Sequence, residues 1–199
     1  MALSGMLPSR ARAQAAPTPD IELGPFYPIV KPVDQDADLT LIRGHRRHAF
    51  GDVIEVSGRV LDGRGNAIPG ARIELWQANA AGRYSHRSDT NRLPFDPDFQ
   101  GYARLVTDRR GQYRIITVRP GPYPTGPNSR RTPHIHMLVD GRVDRLPTQM
   151  FFPSEALNAS DEIFRNLSAS SQARAMAREN GRTADGRARF IHDLVLATG

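Results

Sequence analysis

From Asp52 onward the sequence alternates. DVIEVSGRVLD carries Ile54, Val56, Gly58 and Val60 at every second position, and IPGARIELWQA repeats the pattern through Ala71, Ile73 and Leu75 after the turn residues DGRGN. A period of two sends successive side chains to opposite faces, so each run reads as a strand with one buried face. YARLVTD and QYRIITV flank Arg109-Arg110-Gly111 and read as a hairpin, HIHMLVDG and TQMFFP follow, and RARFIHDLVLA closes the chain. Helical spacing is confined to residues 154–180, where Ile163, Phe164 and Leu167 share one side and Gly181 supplies a stop. About seven short strands predict a mainly β chain, a β-sandwich with long loops and a late helical insertion before the last strand.

The organisation follows from where this alternation begins. Residues 1–20 read as a leader, residues 21–51 as an arm in which IELGPFYPIVKPV is extended and proline-spaced, and residues 52–199 as the sandwich domain. Ala13-Gln14-Ala15 resembles a signal-cleavage pattern, but no apolar run precedes it. The leader therefore reads either as the end of an export signal or as a plain extension, and a cytoplasmic and an exported protein both stay open. No later stretch approaches the roughly 20 apolar residues of a membrane span. Residues 79–101 have no sustained period and form a long excursion of the kind that carries function.

Composition narrows the chemistry. There is no cysteine, so neither a disulfide framework nor a thiolate metal site is available. The formal charge is +6, but its 27 basic residues are scattered, which argues against nucleic acid and suits an anionic small molecule.

His134 and His136 lie at i and i+2 on a predicted strand, so both imidazoles face the same side. Isolated, such a pair is more readily an exposed polar face. Here Pro133 precedes the first histidine, and Pro122 and Pro124 clamp Tyr123, which fixes the backbone as a coordination shell requires. A set of His and Tyr leans toward Fe(III), because a strongly charged cation stabilises phenolate, with zinc as the competing ion. Tyr84, where a strand gives way to the long excursion, is the further donor this reading needs; alone, it reads equally as a loop aromatic on the core.

WQANAAGRY, FDPDFQGYARLVTDRRGQY, VRPGPYP, RRTPHIH and TQMFFP, taken in order, resemble the intradiol ring-cleaving dioxygenases, and within them the iron-bearing subunit of the protocatechuate 3,4-dioxygenases. The resemblance runs from Asp52 to Pro153, with weaker agreement in the GPFYP arm and the final strand. It implies a non-haem Fe(III) held by Tyr84, Tyr123, His134 and His136, with Tyr123 the tyrosine that yields its place to substrate. It further implies Arg131, three residues before the first histidine, as the active-site cation, and Gln149 as the amide that orients substrate or oxygen. The reaction implied joins O2 to a catechol and cleaves the ring between its hydroxylated carbons to a cis,cis-muconate-type diacid.

Gly24-Pro25-Phe26-Tyr27, an element that in the protocatechuate enzymes belongs to the partner subunit's arm, stands here in the same chain as all four implied ligands, which implies a self-sufficient member. Thr125 follows GPYP where those enzymes carry a bulky aromatic, and Phe151 stands where tyrosine is common, so protocatechuate, catechol and substituted catechols all remain open as substrates. Arg43, Arg46, Arg47 and Arg130 are the basic residues available to a substrate anion. The arm predicts packing against a neighbouring surface, and so a homo-oligomer. Two other readings belong to different classes: a non-catalytic β-sandwich binding module, for which VSGRVLDGRGNAIPGARIELW is a typical opening, and a zinc hydrolase using the same donors.

Overall fold

The structure, a computed structural model, describes residues 15–198. The leader lies outside the described residues except for residues 15–20, which run along the body: the Ala15 amide donates to the Gly63 carbonyl and the Thr18 amide to that of Val195.

Two sheets face each other. In the first, β1 (Val53–Leu61) is central and pairs antiparallel with β4 (Gln112–Val118) on one edge. Along its other edge run, in parallel, β10 (Ala188–Ile191) and then β11 (Leu194–Val195), with β9 (Arg178–Arg182) antiparallel outside β10. The second sheet has the order β3 (Tyr102–Val106), β2 (Arg72–Trp76), β7 (His134–Asp140), β8 (Arg145–Phe151), all antiparallel. A short hairpin of β5 (Tyr123–Gly126) and β6 (Ser129–Arg131) stands apart.

Val56, Val60 and Ile115 from the first sheet meet Ile73, Leu75, Ile135, Met137 and Val139 from the second in one core, all fully buried. At about 1.5–3 kcal/mol per buried aliphatic side chain, this layer is the main force holding the sheets together. The β-sandwich expected from the alternation is present.

Three details differ from the sequence reading. YARLVTD and QYRIITV do not pair with each other: β3 lies in the second sheet and β4 in the first. The turn itself is real, since the Asp108 carboxylate accepts from the amides of Arg110 and Gln112, but it crosses between layers. Turn chemistry is local, whereas the choice of partner strand depends on which face each run buries. The helical segment is broken into a 3-10 turn at Ala156–Ala159, α1 (Glu162–Arg165) and α2 (Ala169–Ala175), and residues 178–180 belong to β9. The closing run is interrupted at His192-Asp193, between β10 and β11.

β7 is buried on both faces. Ile135, Met137 and Val139 point to the inter-sheet core, while His134, His136 and Leu138 face outward under cover of the arm, where Leu23, Phe26 and Tyr27 pack against Trp76, Tyr84, Tyr102 and Tyr123. The arm thus covers its own chain. Among the described residues no helix is long and apolar enough to cross a membrane.

Candidate metal centre

The outer face of the second sheet carries a transverse row. The registers Tyr102↔Trp76, Trp76↔His136 and His136↔Gln149 align four side chains across β3, β2, β7 and β8. Two residues before His136 on the same face, His134 sits opposite Phe151. The alternation of a strand therefore delivers both imidazoles to one point, with their Nε2 atoms 3.2 Å apart.

The two tyrosines arrive on loops held together by glycine. The Gly121 amide donates to the Asn79 carbonyl, and a Cβ on Gly121 would lie 2.4 Å from the Ala80 carbonyl oxygen. Gly82, at φ +89°, is equally close to the Pro122 carbonyl, where its Cβ would stand 2.3 Å away. Only side-chain-free positions permit this approach, and it seats Tyr84 edge-on to Tyr123 with ring centroids 5.4 Å apart. Tyr84 Oη lies 3.5 Å from His134 Nε2. Tyr123 pairs with Arg131 across the β5–β6 ladder.

The surroundings fix each ring. His134 Nδ1 lies 2.6 Å from the Thr132 carbonyl, so that nitrogen carries the proton and Nε2 presents a lone pair. His136 is stacked on Trp76, with centroids 4.9 Å apart and planes 5° apart, and Gly24 of the arm comes so close that a Cβ there would stand 3.2 Å from His136 Cε1. Its Nδ1 is buried without a partner. Phe26 stacks on Tyr84 at 4.5 Å.

Burial and the Arg131 charge set the proton affinities. Burial raises both phenols, Tyr84 strongly, and for Tyr84 the neighbouring Tyr123 adds to the effect; in both phenols Arg131 acts the other way. Burial, then Arg131, pushes His134 well below its ordinary value; for His136 burial comes first, then His134 and Arg131. The cluster is thus neutral imidazoles beside neutral phenols, and a bound cation is what would turn the phenols into phenolates. Among the described residues no group of three or more His, Asp or Glu is placed to hold a metal; the oxygen atoms beside the two histidines belong to tyrosine.

Arg131 is anchored twice. Its Nε donates to Asp161 Oδ2 at 2.8 Å and its Nη2 to Gln149 Oε1 at 2.6 Å. Gln149, wholly buried, donates in turn to the Glu22 carbonyl of the arm at 3.0 Å. The structure therefore brings together Tyr84, Tyr123, His134, His136, Arg131 and Gln149. Asp161, Trp76 and Glu22 are the partners that sequence reasoning missed. For Asp161 the signal was a helix cap before Glu162-Ile163-Phe164, which says nothing about an arginine thirty residues away. Of the four arginines available to a substrate anion, only Arg130 lines the cleft over Tyr123 and Arg131; Arg43 pairs with Asp34 and Arg47 with Asp98.

Comparison with known proteins places the chain in a family. A family model described as Dioxygenase matches residues 23–198. The protocatechuate 3,4-dioxygenase beta chain of Burkholderia cepacia is 41% identical over 177 residues, covering 86% of this chain and 72% of that one. Hydroxyquinol 1,2-dioxygenase of Rhizobium sp. is 30% identical over 157 residues, 71% of this chain but 50% of the relative, so the chain spans about half of that protein. Among solved structures, the dioxygenase domain of a carbohydrate-binding fusion from Streptomyces sp. SirexAA-E superposes with a TM-score of 0.70 at 25% identity, over 92% of this chain and 100% of the other. The chain belongs to the intradiol ring-cleaving dioxygenase family.

Proposed function

We propose that the protein is a non-haem Fe(III) dioxygenase that uses O2 to cleave a catechol-type aromatic between its two hydroxylated carbons, giving a cis,cis-muconate-type diacid. The observation that carries this reading is the convergence on His134 Nε2, which has Tyr84 Oη at 3.5 Å and His136 Nε2 at 3.2 Å. The donors fit a ferric ion: the proton on His134 Nδ1 leaves Nε2 free to bind, and the phenols are hard oxygen donors that a strongly charged cation ionises.

Tyr84, Tyr123, His134 and His136 would hold the ion, which when bound draws electron density from a catecholate and opens its ring carbons to O2. A catechol that binds as a dianion gives up two protons; Tyr123, which lines the cleft, would take one on its phenolate oxygen and solvent in the cleft would take the other. Arg131, held in place by Asp161 and Gln149, supplies a fixed positive charge where negative charge gathers on the ring oxygens. The arm excludes water: Phe26 covers Tyr84, and Gly24 lies against His136. Both atoms of O2 end in the two carboxyl groups, so a catechol and O2 account for every atom of the diacid.

A zinc hydrolase would need a general base beside the histidines. Asp161, the buried carboxylate in contact with Arg131, already accepts from Arg131 Nε and the amides of Thr132 and Phe164, which favours the dioxygenase reading. The test is a visible spectrum with metal analysis, taken before and after anaerobic addition of a catechol. One iron per chain with a broad tyrosinate band that shifts on addition is expected; a protein that stays colourless after Fe(III) loading defeats the proposal.

A further inference from the structure

The cleft over Tyr123 and Arg131 has a volume of about 1400 Å³. Pockets for drug-sized molecules usually measure about 300–1,000 Å³, so a bare catechol would leave most of this space to water. Its walls are not uniformly polar. Ile163 of α1 and Leu167, just beyond its C-terminus, line one side while packing back onto the cluster of Phe151 and Phe164, and Ile21 and Phe26 of the arm line the cleft as well.

The charges there do not suit an anionic ring substituent. Arg131, the cation at the floor, is already engaged by Asp161 and Gln149. Beyond it the lining carries the exposed Arg130 and Arg165 together with the exposed carboxylates Asp20, Glu22 and Glu162. A carboxylate reaching into this region would meet at least as much negative as positive charge, although the chain as a whole is basic. Thr125 is short and bonded to Ser129 within the β5–β6 hairpin, which leaves the rim open.

Resting on the dioxygenase reading of this site, we infer that the substrate is a catechol with a bulky, uncharged ring substituent, seated against Ile163 and Leu167. The ring is held at the tyrosine and histidine cluster, and the substituent fills the volume that a compact catechol leaves wet. Discrimination by such a wall is worth about tenfold or more per well-packed group.

The test is steady-state cleavage by the iron-loaded full chain of catechol, 3,4-dihydroxybenzoate and 4-phenylcatechol. The expected result is a kcat/KM for 4-phenylcatechol at least about tenfold above that for 3,4-dihydroxybenzoate. Ile163→Asp should lower the ratio of kcat/KM for 4-phenylcatechol to that for catechol by about tenfold, and the milder Leu167→Ala should lower it in the same direction. Preference for 3,4-dihydroxybenzoate, or a ratio that neither variant moves, overturns the inference. Cleavage of catechol with refusal of 4-phenylcatechol defeats this inference alone, whereas failure to cleave any of the three, with no visible band, defeats the dioxygenase reading with it.

Discussion

Asp161 Oδ2 lies 2.8 Å from Arg131 Nε, and no part of Asp161 is open to solvent. The same oxygen accepts the Thr132 amide at 2.9 Å, while Oδ1 caps α1 through the Phe164 amide at 3.0 Å. One carboxylate thus ties the arginine at the floor of the cleft, the loop before His134 and the helix on the cleft wall into a single unit.

Removing that carboxylate leaves a nearly buried guanidinium uncompensated. Asp161→Ala is expected to cost about 3–5 kcal/mol in urea unfolding. Asp161→Asn keeps the cap acceptor but not the charge, so it should retain most of the fold while lowering kcat more than it raises KM. Wild-type kcat in Asp161→Asn would show that Arg131 does not depend on this partner.

The protein has one tryptophan, and Trp76 is stacked on His136 at 4.9 Å. An iron held through His136 would sit beside the indole, so emission should fall in step with Fe(III) loading and saturate at one ion per chain. His136→Ala should abolish both the visible band and the quench. A full visible band with unchanged Trp76 emission would place the metal away from His136.

Gly121 decides whether the two tyrosine loops can meet. Its missing Cβ leaves 2.4 Å to the Ala80 carbonyl oxygen and 2.6 Å to the Gly82 amide, so a methyl must push backbone and not a flexible side chain. Gly121→Ala is expected to cost about 1–3 kcal/mol as overpacking and to weaken iron retention, because Tyr84 and Tyr123 move apart. Unchanged unfolding midpoint and iron content would remove this glycine from the account of the site.

How much of this was legible beforehand divides along local and non-local lines. Alternation gave the strands and put His134 and His136 on one face, because a period of two is a property of the backbone alone. The crossing of the 102–106 and 112–118 runs into different sheets was not legible, since both edges of that turn look alike until the layers pack. The candidate donors could be named from their ordered motifs. Their supports could not: Asp161 to Arg131, Gln149 to the Glu22 carbonyl and Trp76 against His136 join positions separated by 30, 127 and 60 residues, and no periodicity encodes such pairings.

His192 provides a prediction outside the site. It sits buried between β10 and β11, its backbone carbonyl accepting from Tyr113 Oη at 2.6 Å, and its Nε2 has no partner. Burial pushes its pKa down from 6.5 to about 4, against the opposing pull of Asp193 and a backbone bond to Met176. Between those values the unfolded chain binds a proton that the folded chain refuses, so stability rises with pH across this window. The contribution is whole above about pH 6.5, declines as pH falls, and is gone below about pH 4, amounting to about 3 kcal/mol. His192→Asn removes the titrating group and leaves every other one in place. Urea unfolding at pH 7.5 and pH 4 should therefore show the wild type losing about 3 kcal/mol more over that interval than the variant. Equal losses in the two proteins would mean that His192 is solvated or protonated in the folded state.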